Sequence, residues 1–175
     1  MIPEIDVNGQ VFYDNVTFKL NFATGTFELV GGEEKPSSIS ATPLDTMEAE
    51  NIKMQFMGCT RSGRNEVTCH LKLTSLGGFD RATYVYANYS GNTSFLYDDL
   101  GNTYKSTEIS VANLQATSAV HPTLIAGIPT LAKFKFTNIS PNATSLSLFK
   151  PAFNLGDSVA NNGNTFYSDF RNINF

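Results

Sequence analysis

The sequence predicts an all-β fold, an antiparallel β-sandwich of about seven to nine strands. Three observations predict it. Short apolar runs alternate with polar residues at period two, and Gly, Asn, Pro and Asp punctuate the intervals between them. No stretch carries the spacing of a convincing amphipathic helix. The aromatic inventory, 14 Phe and 7 Tyr with no Trp, favours sheet.

The elements follow in order. Val16, Phe18 and Leu20 alternate with Thr17, Lys19 and Asn21, and after a turn at Ala23, Thr24 and Gly25 the pattern resumes at Phe27 and Leu29. Residues 1–35 therefore read as an N-terminal β-hairpin arm. It either stands apart or adds strands to the main domain, since one hairpin is too small to bury its own face. Residues 36–50, broken by Pro36 and Pro43, read as a linker or long loop in which "LDTMEAEN" holds at most a helical turn. The sandwich domain spans 51–175.

Both cysteines lie in "CTRSGRNEVTC", residues 59–69. After the turn, Val67, Cys69, Leu71 and Leu73 share one strand face, and Thr68, His70, Lys72 and Thr74 take the other. Before it, Ile52, Met54 and Phe56 share a face from which Cys59 falls out of phase. One extra residue near Met57 and Gly58 restores the phase, which predicts a β-bulge there. With the turn at Ser62, Gly63, Arg64 and Asn65, Cys59 and Cys69 come opposite each other and predict a disulfide. Two reduced core thiols are the alternative. The spacing matches neither a four-ligand zinc pattern nor a C-x-x-C redox pair. A disulfide implies an oxidising compartment.

Beyond the hairpin, Ala82 to Tyr89 reads as one strand, followed by a short strand before the turn at Asp99, Leu100, Gly101 and Asn102. Further strands fall near Thr103–Lys105 and Glu108–Ala112. Ala132, Phe134 and Phe136 then face inward opposite Lys133, Lys135 and Thr137. Leu146 and Leu148 face inward until Pro151 ends the run. The tail, with a Gly/Asn-rich turn and Phe166, Tyr167, Phe170 and Phe175, reads as an end strand or a strap over the core.

Composition narrows the function. Charged residues make up 16% of the chain, below the usual quarter, and the surface is rich in Asn, Ser and Thr. A net charge of −4 with no basic run argues against nucleic acid as a partner. No apolar run is long enough to span a bilayer. "MIPEIDVNGQ" has neither the basic nor the apolar region of a signal peptide. An exported chain would have lost its signal or anchor ahead of Met1, and a cytosolic chain explains the same opening.

"YDDLGNTY" is the leading polar cluster. Asp98, Asp99 and Asn102, joined by Asp80, would supply oxygen ligands to a surface Ca²⁺. The competing reading is a turn in which Asp and Asn bond their own backbone and Gly101 supplies positive φ. The spacing is not that of an EF-hand. No other cofactor is expected. Tyr84 and Tyr86 share a strand face, with Tyr89 opposite, and offer a stacking surface for a sugar or peptide if they are exposed. His70 and His121 have no serine, cysteine or acid at suggestive spacing, and no nucleophile elbow or phosphate loop appears, so no catalytic residue is assigned. Sequons stand at Asn15, Asn88, Asn92, Asn138 and Asn142.

From about Asn51 to Leu148, "MGCTRSGRNEVTCHLKLTS", "FLYDDLGNTYKS" and "LIAGIPTLAKFKFTNI" follow one another as a cysteine hairpin, an Asp-x-x-Gly-Asn-x-Tyr turn and a Gly-x-Pro strand entry. In this order they resemble a class of immunoglobulin-like, or telokin-like, domains in bacterial exported and cell-envelope proteins. The resemblance implies an immunoglobulin-like β-sandwich at the bacterial periplasm or surface and brings no catalytic residues. The expected function is that of a non-enzymatic module in protein–protein interaction, adhesion or assembly, with an envelope or extracellular protein, or a glycan, as partner. The alternative is a carbohydrate- or peptide-binding domain assisted by calcium.

Overall fold

The computed structural model describes residues 42–154 and 165–174 in full, together with the backbone of four strands between residues 4 and 29. The turn expected at Ala23, Thr24 and Gly25, the start of the expected linker, the Gly/Asn-rich turn, Asn15 and Phe175 lie outside the described residues. The chain divides into two compact units, Met1–Ser38 and Ile39–Phe175.

In the first unit, β1 (Glu4–Ile5), β2 (Gln10–Tyr13), β3 (Val16–Asn21) and β4 (Thr26–Leu29) form a four-stranded antiparallel meander in sequence order. The alternating runs at Phe18–Leu20 and Phe27–Leu29 pair as β3 and β4, with Leu20 opposite Phe27.

The second unit is built on β5 (Asp45–Ala49), β6 (Ile52–Ser62) and β7 (Glu66–Ser75). Next come β8 (Arg81–Ala82), β9 (Tyr84–Tyr86), β10 (Asn88–Tyr89), β11 (Asn92–Thr93) and β12 (Phe95–Asp98). They are followed by β13 (Thr103–Val111), β14 (Leu114–Ala116), β15 (Ala119–Val120), β16 (Thr123–Leu124) and β17 (Thr130–Thr137). The unit ends with β18 (Ser145–Lys150), β19 (Ala152–Asn154), β20 (Phe166–Tyr167) and β21 (Phe170–Asn174). β5 occupies the end of the stretch read as a linker, where Met47 pairs with Met54.

The all-β expectation holds, but the immunoglobulin-like sandwich of two sheets does not. Eight strands follow one hydrogen-bonded path, β21-β18-β12-β13-β17-β7-β6-β5, with β14 added beside β13. The path curls on itself into a nearly closed barrel. Phe170 of β21 stacks on Phe56 of β6 with ring centroids 5.0 Å apart, although the two strands stand near opposite ends of the path. Separate small sheets, β15-β9-β19-β20, β16-β8 and β10-β11, complete the unit.

The long strand β13 makes the curl. Thr103–Lys105 pairs with β12, whereas Ser106–Val111 pairs with β17, and the register shifts between Ser106 and Glu108. A bulge bends a strand and increases its twist, so β13 passes from one wall to the next without leaving the sheet. A sandwich would need a break at this point.

The core lies inside the curl. Phe56, Phe134, Phe136, Phe149 and Phe170 are at most 2% exposed and touch ring to ring, with Phe134 edge-on to Phe149 at 5.2 Å. Each such burial is worth roughly 1.5–3 kcal/mol. Val67, Cys69, Leu71 and Leu73 face inward as expected, as do Ala132, Phe134 and Phe136. Leu148 does not follow Leu146. It pairs with Tyr97 and Arg171 on the outer face while Phe149 turns in, because the register shifts between Tyr97 and Asp98.

The central hairpin matches its reading. The register shifts between Phe56 and Gly58, and Cys59 then pairs with Cys69. The two form a disulfide with Cα atoms 4.0 Å apart. Gly58 has φ +103°, a conformation that L side chains rarely adopt, and a Cβ there would meet Leu44 at 3.3 Å.

Candidate functional site

The two ends of the barrel differ in chemistry. One gathers the β6–β7 tip, the 98–102 turn and the 138–144 loop, and its polar groups are spent on holding these together. Asp98 is buried, and Oδ1 accepts from the N–H groups of Leu100 (3.0 Å) and Asn102 (2.8 Å). Its Oδ2 accepts from the Asn102 amide (2.8 Å) and the Tyr104 hydroxyl (2.7 Å). Burial alone would raise the Asp98 pKa, but the hydrogen bonds from Asn102, Tyr104 and Leu100 outweigh it and hold the carboxyl below its usual range. The Tyr104 oxygen also accepts from the Ser140 N–H at 3.0 Å. Asp99 accepts from the Thr144 hydroxyl at 2.6 Å and Arg61 donates to the carbonyls of Ser140 and Ala143, so each pins the same loop.

Asp80 is at the other end, where it accepts from the Ala126 N–H at 3.0 Å. The strand β7, from Glu66 to Ser75, separates the ends by about 30 Å at ~3.3 Å per residue. Asp80, Asp98, Asp99 and Asn102 therefore do not converge. No three His, Cys, Asp or Glu side chains among the described residues form a metal-holding group. The cluster is a turn whose oxygens bond the protein's own N–H and O–H groups.

Tyr84 and Tyr86 do share a face, with near-parallel rings 6.2 Å apart, but Tyr86 is only 4% exposed. His121 covers a face of Tyr84 at 3.9 Å. Tyr89 joins the row beside Tyr86 at 6.5 Å instead of facing away. The reason is the break at Ala87, which ends β9 and restarts the period-two count at β10. The row packs largely against itself and offers solvent little ring face beyond Tyr89, which is exposed.

The Asp80 end has a different character. Leu76–Asp80 and Ile125–Pro129 lie side by side, joined by a bridge between Ser75 and Ala126 and by the Gly127 N–H donating to the Ser75 carbonyl at 2.9 Å. The Ser75 hydroxyl holds the Phe79 carbonyl at 3.0 Å, the Leu76 N–H donates to the Asn51 carbonyl at 2.7 Å, and Arg81 donates to the Glu50 carbonyl. These fixed loops display Leu76, Phe79, Ile125 and Ile128, which are 45, 56, 44 and 56% exposed. Gly77 permits the close fold of Phe79, whose ring would stand 2.8 Å from an added Cβ. None of the four was singled out from the sequence. Their signal is present in "SLGGF" and "LIAGIP", where large apolar residues sit among glycines that mark loops.

His70 is buried at 5% exposure although it lies on the outward register of β7. Nε2 is 3.2 Å from the Thr60 hydroxyl, and Nδ1 has no hydrogen-bond partner among the described residues. Burial, and secondarily the charge of Lys133, lowers its pKa to about 4. The ring is neutral at ordinary pH, and the Thr60 hydroxyl is its hydrogen-bonding neighbour. No helix among the described residues is long and apolar enough to cross a membrane. No protein-family model and no curated protein matches the chain.

Proposed function

We propose that the protein is a non-enzymatic interaction module working in an oxidising compartment, secreted or exposed at a cell surface. Its contact surface is the apolar end formed by Leu76, Phe79, Ile125 and Ile128. The observation that carries the reading is the exposure of these four large side chains on loops held by backbone hydrogen bonds. A rigid apolar surface loses little conformational freedom on binding, and contiguous exposed apolar patches mark interaction sites. The partner is a protein with an apolar surface of its own. The Cys59–Cys69 disulfide supports the compartment by itself. The envelope assignment that came only with the sandwich resemblance loses that support.

The test is the native size of the protein released from its own cells under mild conditions. Wild type migrates as a complex larger than the 19.1 kDa chain, and Phe79→Ser with Ile128→Ser migrates as the free chain. Identical migration of both, with the variant still folded, refutes the assignment.

A further inference from the structure

On the outer face of the barrel, β12 carries two aromatic rings, Phe95 and Tyr97, with centroids 6.3 Å apart and both half-buried. Directly paired strand residues point to the same side of a sheet. Phe95 pairs with Lys105 on one flank and Lys150 on the other, and Tyr97 pairs with Thr103 and Leu148. Leu148 pairs in turn with Arg171. The inward partners confirm the alternation, since Leu96, Phe149 and Phe170 are all fully buried. Phe95 thus lies between Lys105 and Lys150, and Arg171 stands two strands from Tyr97, beyond Leu148. Lys150 and Arg171 share one carboxylate, Asp169, at 3.8 and 3.1 Å, and Lys105 makes no salt bridge among the described residues. In a chain of net charge −4, this face gathers three cations against one acid.

We propose that this face binds an anionic polysaccharide. Sugar rings lie with their C–H faces on Phe95 and Tyr97, where the negative ring quadrupole meets them, and carboxylates or sulfates pair with Lys105, Lys150 and Arg171. A nucleic acid fits less well, because phosphate-driven binding draws on about six to ten cationic contacts. An acidic peptide would meet the cations but brings no regular C–H face to the rings. The site lies on a sheet wall, apart from the apolar loops, and does not depend on their role.

The experiment is affinity electrophoresis of the full chain through gels containing polygalacturonate, dextran sulfate or uncharged dextran. Free poly-glutamate and oligo-dT serve as competitors. Wild type is retarded by one or both charged polysaccharides and not by dextran, and the gel that retards it more identifies carboxylate or sulfate as the preferred group. Lys105→Gln with Arg171→Gln weakens retardation roughly tenfold, as does Tyr97→Leu, whereas Tyr97→Phe retains it. Lys53→Gln with Lys72→Gln, on β6 and β7 of the same barrel, changes nothing. Absence of retardation overturns the proposal. So does equal loss in the Lys53/Lys72 control, full binding by Tyr97→Leu, or competition by poly-glutamate or oligo-dT as strong as by the polysaccharide.

Discussion

Replacing Cys59 and Cys69 together by alanine removes a cross-link between β6 and β7, three residues from the tip of their hairpin. The bridge closes a sequence separation of 10. For a loop of about 11 residues, the chain-entropy model assigns about 2.8 kcal/mol at room temperature. Both cysteines are at most 5% exposed, so losing two buried sulfurs adds roughly 1 kcal/mol of packing. The expected loss of about 3–4 kcal/mol is a large share of a typical domain's stability. Urea unfolding of the oxidised wild type and the double variant measures it as a fall in midpoint, accompanied by a steeper m-value because the unlinked unfolded chain exposes more surface. Wild type treated with reductant should fall to a similar midpoint. A loss under about 1 kcal/mol would mean that the bridge is incidental to the hairpin and that the reasoning from loop closure is wrong.

Acid destabilisation should begin well above the carboxylate range. The folded pKa of His70, about 4, lies below its unfolded value of 6.5, so between them the unfolded chain binds the extra proton. Stability is therefore full above pH 6.5 and falls as pH drops towards 4, by at most about 3 kcal/mol; His70→Gln should abolish that slope in urea unfolding at stepped pH. Asp98 adds a separate loss at lower pH, since its depressed pKa stabilises the fold above the unfolded value and the contribution disappears as pH falls through the folded one. Tyr104→Phe removes a donor to Asp98 and the acceptor for Ser140, and should cost about 1–2 kcal/mol by denaturant titration while raising the Asp98 pKa in an NMR titration. Phe170→Ala should cost about 3–5 kcal/mol because the ring closes the curl against Phe56 and Phe149. A loss under 1 kcal/mol there would fit a loose strap instead.

Local geometry was legible wherever periodicity and a single glycine encode it. The phase slip of Cys59 against Ile52, Met54 and Phe56 required an extra residue, and the bulge falls where Gly58 tolerates positive φ. Pairing between distant strands leaves no such trace. Nothing in "FLYD" says that it lies between β13 and β18, and nothing in "TYKSTEISV" says that its two halves pair with different strands. The two-sheet expectation failed on that non-local bend. Alternation also misleads across unmarked breaks, as at Ala87, where Tyr89 rejoins the row of Tyr86. The polar cluster at Asp98 was visible as residues, but the hydrogen bonds that occupy its oxygens come partly from Tyr104, whose own oxygen is held by Ser140, and those partners leave no trace in the spacing. The apolar end left no periodic signal because Phe79 and Ile128 sit in loops, and their meaning shows only in their exposure on two segments joined through Ser75.

The most direct test of the central claim places a photo-crosslinking amino acid at position 79 or 128, and in parallel at exposed control positions 107 and 115 on other strands. After irradiation in the native cells, positions 79 and 128 should give the same discrete protein adduct, and the controls should give none. Adducts at all four positions alike, or at none, would contradict the assignment of the apolar end as the contact surface.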